Sequence, residues 1–252
     1  MRETILSELT KLDQTNNVQV IYAVESGSRA WGFESPDSDY DVRFIYVRPQ
    51  DDYLRIDRVR DVIDWQPDPL FDATGWDLPK TLRLMRKSNP SLYEWAASPI
   101  VYRSTPTWEL LGPMLDRCFS PRAIGMHYLS MARRNREEHL LAPTVKLKKY
   151  LYVLRPILAC RWLVERGTMP PVRFSDLVEA ELPQDLKPSV DDLLARKRAA
   201  NEAKRIEHMP DIDSFIERGL ADMDGKIREL PKAEDVPWED LDALFREILQ
   251  RG

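Results

Sequence analysis

The sequence predicts an α+β protein, with a small twisted mixed β-sheet and its helices in residues 1–115 and an all-helical domain in residues 121–252. Two observations predict this division. Short apolar runs rich in β-branched and aromatic residues, which are typical of strands, lie before residue 78. Beyond Pro121 the pattern is helical almost throughout, because apolar residues recur every three or four positions.

The first part of the chain mixes helices and strands. A helix is predicted over residues 2–14, where Ile5, Leu9 and Leu12 share one face. Residues 18–24 read Val-Gln-Val-Ile-Tyr-Ala-Val, a run too short and too uniformly apolar for an amphipathic helix, so we expect a buried strand. Further elements are predicted as strands over 39–47, 61–65 and 71–76, and as a helix over 78–87 that has Pro79 in its first turn.

The second part is predicted to consist of helices that follow a boundary within residues 111–121. The expected helices cover residues 123–138, 143–166, 189–208, 211–230 and 238–250. Pro156 predicts a kink in the second of them, since proline lacks the N–H that an interior helical position needs. These bounds indicate a separate helical domain.

Composition excludes several classes of protein. With 37 Lys plus Arg against 42 Asp plus Glu, the 252-residue chain has a formal charge of −5, which excludes a generally basic nucleic-acid coat. No run approaches the length needed to cross a bilayer, so no membrane partner is expected. Acids within the first twenty residues argue against a secretory signal and favour the cytoplasm. Cys118 and Cys160 form neither a disulfide framework nor a zinc ligand set.

Charge is uneven along the chain. Residues 34–77 hold twelve acids against five Arg, whereas residues 122–166 hold ten Lys plus Arg against three Glu. Solvated surfaces also tolerate such blocks. The acidic block, however, contains the arrangement that indicates chemistry.

That arrangement is a Gly27-Ser28 pair, ten intervening residues, and then Asp39-Tyr40-Asp41 at the start of a predicted strand. Side chains two apart on a strand share a face, so the two carboxylates can converge on one divalent ion. Mg²⁺ fits this chemistry, with Mn²⁺ as the alternative, because it prefers oxygen ligands and is typically held by one or two carboxylates plus substrate phosphates. Surface acids at a loop edge are the competing interpretation.

The glycine turn supplies the second half of the predicted site. Gly27 permits a tight turn from strand into helix, and the backbone N–H groups exposed there, with the Ser28 hydroxyl, are suited to the β and γ phosphates of a nucleotide. Ser28 also suits a helix cap. Arg29 is either a phosphate ligand or a solvated side chain.

These motifs resemble the DNA polymerase β-like nucleotidyltransferase superfamily. Within that superfamily, the sequence of residues 27–32, 38–46, 89–95 and 152–162 resembles that of the predicted nucleotidyltransferases named for a bacterial RNA-repair pathway. The resemblance covers about residues 20–162, and its Gly-Ser to Asp-x-Asp spacing is the specific part. The C-terminal third has no counterpart.

The resemblance implies transfer of a nucleotide from a nucleoside triphosphate, with three carboxylates binding two Mg²⁺ ions. Asp39 and Asp41 would hold the ion on the triphosphate side, and Asp41 with Asp77 the ion that activates the attacking hydroxyl. Asp77 also looks like a helix N-cap, because it precedes Pro79 by two residues. Asp64 and Asp72 are the alternatives for the third carboxylate.

The basic block adds a predicted nucleotide-binding flank. Leu147, Leu151, Leu154 and Leu158 form one stripe that must face a core, and this places Lys148, Tyr152 and Arg155 together along its edge. There the two cations and the phenol are suited to a triphosphate or an RNA backbone, and Lys149, nearer to solvent, is a further phosphate contact. A face of surface salt bridges is the competing interpretation.

The predicted activity is transfer of a nucleoside monophosphate to an acceptor hydroxyl with release of pyrophosphate. An RNA 3′ end is the acceptor that the family name implies. A hydroxyl of a protein or a small molecule is the alternative acceptor, and a non-catalytic nucleotide-binding domain is the alternative class. Retention of both Asp39 and Asp41 argues against that last option.

Overall fold

The computed structural model describes residues 1–36, 38–57, 59–68, 70–199 and 205–251. The chain forms two compact units, each built from separate segments. The first comprises Met1–Ala30, Asp39–Phe119 and Glu234–Gly252, and the second comprises Trp31–Ser38 and Ser120–Ala233.

The first unit is built around a mixed five-stranded sheet, which confirms the predicted α+β class. Its strands are β1 Gln19–Glu25, β2 Tyr40–Val47, β3 Val62–Asp68, β4 Phe71–Asp77 and β5 Val101–Ser104. They lie in the order β3-β4-β2-β1-β5, with β2 and β4 parallel and the other neighbours antiparallel. The first four strands were predicted to within three residues, whereas β5 lies where the sequence indicated no element.

Helices cover both faces of this sheet. They are α1 Arg2–Asn16, α2 Gly27–Trp31, α3 Gln50–Tyr53, α4 Leu78–Arg86, α5 Pro90–Ala96, α6 Pro106–Glu109, α7 Gly112–Cys118 and, at the end of the chain, α13 Trp238–Arg251. On one face, Ile5, Leu9 and Leu12 of α1 pack into a core with Phe44 and Tyr46 of β2. On the other face, β1 and β2 pack against α4, α5 and α13. Alternate residues of the strands therefore enter two different cores.

The helix α13 belongs to the first unit, so the units are not the continuous ranges 1–115 and 121–252. Leu241, Leu244 and Ile248 recur at helical spacing and are buried in the same core as Leu78 and Leu82 of α4. Just before α13, the guanidinium of Arg86 is bound to the Val236 carbonyl (2.9 Å) and the Asp235 carboxylate (2.8 Å). Burial of this apolar stripe places the last helix with the sheet.

The second unit is helical. Its helices are α8 Pro121–His139, α9 Leu147–Arg166, α10 Phe174–Glu181, the 3₁₀ turn Gln184–Leu186, α11 Lys187–Ala199 and α12 Pro210–Glu229. The predicted helix over 189–208 is wrong at its end, because Arg205–Ile206 (β7) pairs instead with Val145–Lys146 (β6). The part of that prediction over 200–204 lies outside the described residues.

The connection between the Gly27-Ser28 turn and Asp39 also belongs to the second unit. Phe33 meets Phe174 edge to face with ring centroids 5.7 Å apart, and the buried Lys197 donates a hydrogen bond of 2.7 Å to Ser35. These contacts hold Phe33 and Ser35 against α10 and α11 of the second unit. Separately, no helix within the described residues is long and apolar enough to cross a membrane.

Candidate functional site

The Gly27-Ser28 turn lies directly against Asp41, as the spacing of the two motifs led us to expect. Gly27 begins α2, two residues after β1 ends at Glu25, and its φ of +60° is a conformation that residues with a Cβ disfavour. A Cβ added at Gly27 would lie 2.0 Å from Oδ2 of Asp41. Glycine is therefore required here both by the turn and by the closeness of a carboxylate.

Two backbone hydrogen bonds fix Asp41 in this position. The N–H of Ser26 donates to the Asp41 carbonyl at 2.8 Å, and the N–H of Asp41 donates to Oε1 of Glu25 at 2.8 Å. The Asp41 side chain is half-buried, with 29% of it exposed, while Asp39 is exposed immediately before β2. The two acids are separated by Tyr40 alone, so both lie at the start of β2.

Glu25 is a residue of this site that the sequence analysis missed. Its side chain is fully buried, and its second carboxylate oxygen accepts a hydrogen bond from the Tyr102 hydroxyl. Burial raises the pKa of Glu25 above its ordinary value, against the opposing effects of the Tyr102 hydroxyl and the Asp41 N–H. The signal was present in the sequence, since an acid at the end of an apolar strand and next to a glycine turn requires buried partners.

Arg43 connects Asp41 to a third acid. A single nitrogen of its guanidinium, Nη2, donates to Oδ1 of Asp41 at 3.0 Å and to Oδ2 of Asp72 at 2.9 Å. The other, Nη1, donates to the carbonyls of Val42 (3.1 Å) and Asp72 (3.0 Å). The parallel register pairs Asp41 with Asp72, so these two side chains lie side by side on neighbouring strands.

The structure corrects the expectation that Asp77 joins this group. Asp77 pairs with Tyr46, five positions along β2 from Asp41 and therefore about 16 Å away. It is the N-cap residue of α4, and its buried carboxylate accepts a hydrogen bond of 2.6 Å from the Tyr53 hydroxyl. Burial raises the pKa of Asp77, with Tyr53 and Arg48 acting in the opposite direction. The N-cap interpretation describes its position.

The other alternative, Asp64, is separated from Asp41 by the strand that carries Asp72. It lies on β3 opposite Thr74 and accepts a hydrogen bond of 3.2 Å from the Thr74 hydroxyl. It also forms a salt bridge of 2.7 Å with Arg60. Of the two alternatives, Asp72 is the acid beside Asp41. Nowhere in the described ranges do three or more His, Cys, Asp or Glu side chains form a group that could hold a metal ion.

Arg29 lies against the segment that carries the two acids. Its Nε donates to the Asp39 carbonyl at 3.0 Å, and its guanidinium carbon lies 3.8 Å from the centroid of the Tyr40 ring. The side chain therefore holds the backbone at the start of β2. This contact favours neither of its two predicted roles over the other.

The predicted basic flank lies on α9 in the second unit. Leu147, Leu151, Leu154 and Leu158 are buried, which confirms the core stripe. Beside that stripe, Lys148, Lys149 and Tyr152 are half-buried. The Lys149 ammonium lies 5.3 Å from the Tyr152 ring centroid, and burial lowers the pKa of Lys149.

Arg155 does not lie at an exposed edge, and this corrects the expectation that it faces a phosphate there. Only 3% of the residue is exposed. Its Nε donates to the Val172 carbonyl at 3.4 Å, and its guanidinium carbon lies 4.6 Å from the Trp31 ring centroid. The predicted stripe was right, but a helix wheel does not show that another segment covers its edge.

Comparison with known proteins adds the family. Residues 1–247 match the RlaP family, described as the RNA repair pathway DNA polymerase beta family. An uncharacterized protein of Bacillus subtilis strain 168, YcgL, is 47% identical over 236 residues, covering 93% of this chain and 90% of that protein. A nucleotidyltransferase-like protein from Exiguobacterium sibiricum 255-15 superposes with a TM-score of 0.31 at 12% identity, covering 89% of this chain and 74% of that one.

Proposed function

Because the chain belongs to the RNA repair pathway DNA polymerase beta family, we propose that it transfers a nucleoside monophosphate from a nucleoside triphosphate to an acceptor hydroxyl and releases pyrophosphate. One observation supports this most directly. The carboxylate of Asp41 lies so close to Gly27 that a Cβ there would overlap it, so the glycine turn, whose backbone N–H groups suit a phosphate, lies beside an acidic strand.

The donor set fits Mg²⁺, with Mn²⁺ as the alternative. Asp39, immediately before β2, and Asp41, within it, offer carboxylate oxygens at the partly exposed end of the strand. A bound ion would neutralise phosphate charge and help to activate the attacking hydroxyl. The third carboxylate of a two-ion arrangement would be Asp72, which replaces Asp77 in this role because of its register with Asp41.

The residues of the chain have distinct tasks in this proposal. Backbone N–H groups at Gly27 and Ser28, with the Ser28 hydroxyl, would bind the triphosphate. Glu25 and Arg43 orient Asp41 from its backbone and from its side chain. Arg29 holds the Asp39 backbone, and Lys148, Lys149 and Tyr152 remain proposed nucleotide contacts. Catalysis would then rest on positioning and charge neutralisation.

The proposed acceptor is the 3′ hydroxyl of an RNA, because the family description refers to an RNA repair pathway. A hydroxyl of a protein or a small molecule is the second candidate, and one observation favours it. Several cations of the basic block are already paired within the second unit, namely Arg133 with Asp224, Arg136 with Glu217 and Arg166 with Glu181. These pairs reduce the positive charge available to an extended RNA backbone.

Transfer of label distinguishes these acceptors. The protein is incubated with each α-labelled nucleoside triphosphate, Mg²⁺, and RNA with a free or a blocked 3′ end, a protein extract or buffer alone. Label on RNA that requires the free 3′ end supports the proposal, and label on protein or a small molecule supports the second candidate.

A matched pair of variants controls this assay. Asp41→Asn should abolish transfer, while Asp64→Asn, which changes a half-exposed acid of the same sheet, should retain it. Absence of transfer with every triphosphate and acceptor, by a protein that also fails to bind nucleotide, would contradict the proposed activity.

A further inference from the structure

Arg43 is held in place more firmly than a surface arginine. Four hydrogen bonds from its two terminal nitrogens reach two carboxylates and two backbone carbonyls, and 19% of its side chain is exposed. The carbonyls belong to β2 and β4, whose positions are fixed by the sheet. The guanidinium is therefore anchored by the sheet backbone as well as by the acids.

Its terminal nitrogen Nη2 lies between the two carboxylates that a shared ion would bridge. An ion bridging Asp41 and Asp72 would use carboxylate oxygens that now accept from the same Nη2. Those hydrogen bonds are 3.0 and 2.9 Å long, whereas Mg²⁺ requires oxygen ligands at about 2.0–2.1 Å. A second divalent ion would have to displace the guanidinium and break its contacts with these carboxylates.

Charge leads to the same conclusion. Asp39, Asp41 and Asp72 bring three negative charges to the end of β2 and its neighbour β4. The guanidinium cation of Arg43 offsets one of these charges. It also relieves the repulsion between two carboxylates that the parallel register holds side by side.

We propose that Arg43 is a built-in cation of the site, which takes the position of a second divalent ion between Asp41 and Asp72. The site then binds a single divalent ion, through Asp39 and Asp41. Arg43 acts as a positioning residue, since it holds the carboxylates and does not contact the reacting atoms. This inference rests on the proposed function and changes its ion count from two to one.

Counting bound Mn²⁺ tests the proposal without reference to activity. Electron paramagnetic resonance and calorimetry on the full chain should find one Mn²⁺ site in the wild type. Arg43→Gln should gain a second site, or bind Mn²⁺ at least tenfold more tightly, because two carboxylates lose their positive partner. Arg60→Gln is the matched control: it removes an exposed arginine paired with Asp64 and should leave the count at one.

Turnover separates a built-in cation from a side chain that merely competes with metal. In the proposal, Arg43→Gln binds metal better and yet transfers nucleotide at least tenfold more slowly. Arg43→Lys keeps the charge and should keep the count at one, and it provides the measurement if the glutamine variant does not fold. Two Mn²⁺ sites in the wild type, or faster turnover in Arg43→Gln, would overturn the inference.

The same titration keeps the two proposals distinct. If the wild type binds two Mn²⁺ ions and Asp41→Asn removes them, the inference about Arg43 fails while the metal-dependent function stands. If neither the wild type nor Arg43→Gln binds Mn²⁺, both fail.

Discussion

The buried carboxylate of Glu25 accepts a hydrogen bond of 2.8 Å from the backbone N–H of Asp41. A fully buried acid thus positions a partly exposed one. The two residues lie on neighbouring antiparallel strands, at the end of the sheet where the Gly27-Ser28 turn begins. Placement of Asp41 therefore depends on a side chain that makes no contact with solvent.

Replacing Glu25 should destabilise the first unit. Glu25→Gln replaces one of the two acceptor oxygens by an NH₂ group, which cannot accept from both the Tyr102 hydroxyl and the Asp41 N–H, and we expect a loss of about 1–3 kcal/mol in the free energy of unfolding. Denaturant unfolding measures it. Tyr102→Phe, which removes a single donor, is the control and should cost less.

The effect of Glu25→Gln should depend on pH. Burial raises the pKa of Glu25 above its ordinary value of 4.5 in the folded protein. The folded state therefore keeps this proton at a higher pH than the unfolded chain does, and the group's contribution to stability is fully present below pH 4.5 and is lost as the pH rises. The stability difference between wild type and variant should shrink from pH 4 towards neutrality. A difference that grows with pH would contradict the sign.

Gly27→Ala should disrupt the site, whereas a comparable substitution elsewhere should not. Gly27 and Gly167 have similar positive φ values, 60° and 66°, but a Cβ at Gly167 meets nothing within 4 Å. Both substitutions should cost about 1 kcal/mol for the backbone conformation. Only Gly27→Ala also displaces the Asp41 carboxylate, so it alone should abolish Mn²⁺ binding and transfer. Equal losses of activity in the two variants would show that the contact with Asp41 is irrelevant.

Substitutions of Asp41, Asp72 and Asp77 should differ in their effects on transfer activity and on stability. Asp41→Ala should abolish transfer and leave the melting temperature near that of the wild type, because the residue is partly exposed. Asp72→Ala should reduce transfer, since Arg43 loses one of its two carboxylates. Asp77→Ala should mainly destabilise, by about 1–3 kcal/mol, because Tyr53 loses its buried acceptor. Loss of activity in a well-folded Asp77→Ala protein would restore the original assignment.

Substitutions of Arg155 and Lys148 on α9 should also differ, the first affecting stability and the second the KM for nucleotide. Arg155→Ala should lower the free energy of unfolding through lost packing on Trp31 and a lost hydrogen bond to Val172, with little change in the KM for nucleotide. Lys148→Ala should raise that KM if the half-buried ammonium binds phosphate. Steady-state kinetics and thermal unfolding on the same preparations give both quantities, and an unchanged KM for Lys148→Ala would remove this residue from the site.

Nucleotide and metal should bind together. The acids at the end of β2 repel a triphosphate until a cation offsets their charge. Calorimetry should therefore show weak binding in chelator and clear binding with Mg²⁺. Equal affinity under the two conditions would contradict a metal-assisted site.

The sequence was sufficient to predict the elements whose patterns are local. Strands β1 and β2 are apolar and β-branched over the length of a strand, and the Gly27-Ser28 turn and Asp41 are linked by a short connection, so their proximity followed from spacing. The stripe on α9 followed from helical periodicity. Each of these features depends on residues close together in the chain.

The features that escaped prediction depend on pairing between distant segments. Whether Asp72 or Asp77 lies beside Asp41 is decided by the register of two parallel strands, which no local pattern encodes. The burial of Arg155 depends on Trp31 and Val172, which lie on other segments of the second unit. The amphipathic stripe of α13 was visible, but nothing in it identified the core that it enters.

The position of α13 in the first unit has a consequence for folding during synthesis. All segments of the second unit precede residue 234, whereas the first unit needs the last helix of the chain. On the ribosome the second unit has its whole sequence available first, even though the sheet is synthesised earlier, and domains generally fold as units during synthesis. Until α13 emerges, Leu78, Leu82 and their neighbours lack their final cover. A nascent chain stalled before residue 238 would expose this apolar surface to chaperones or to aggregation.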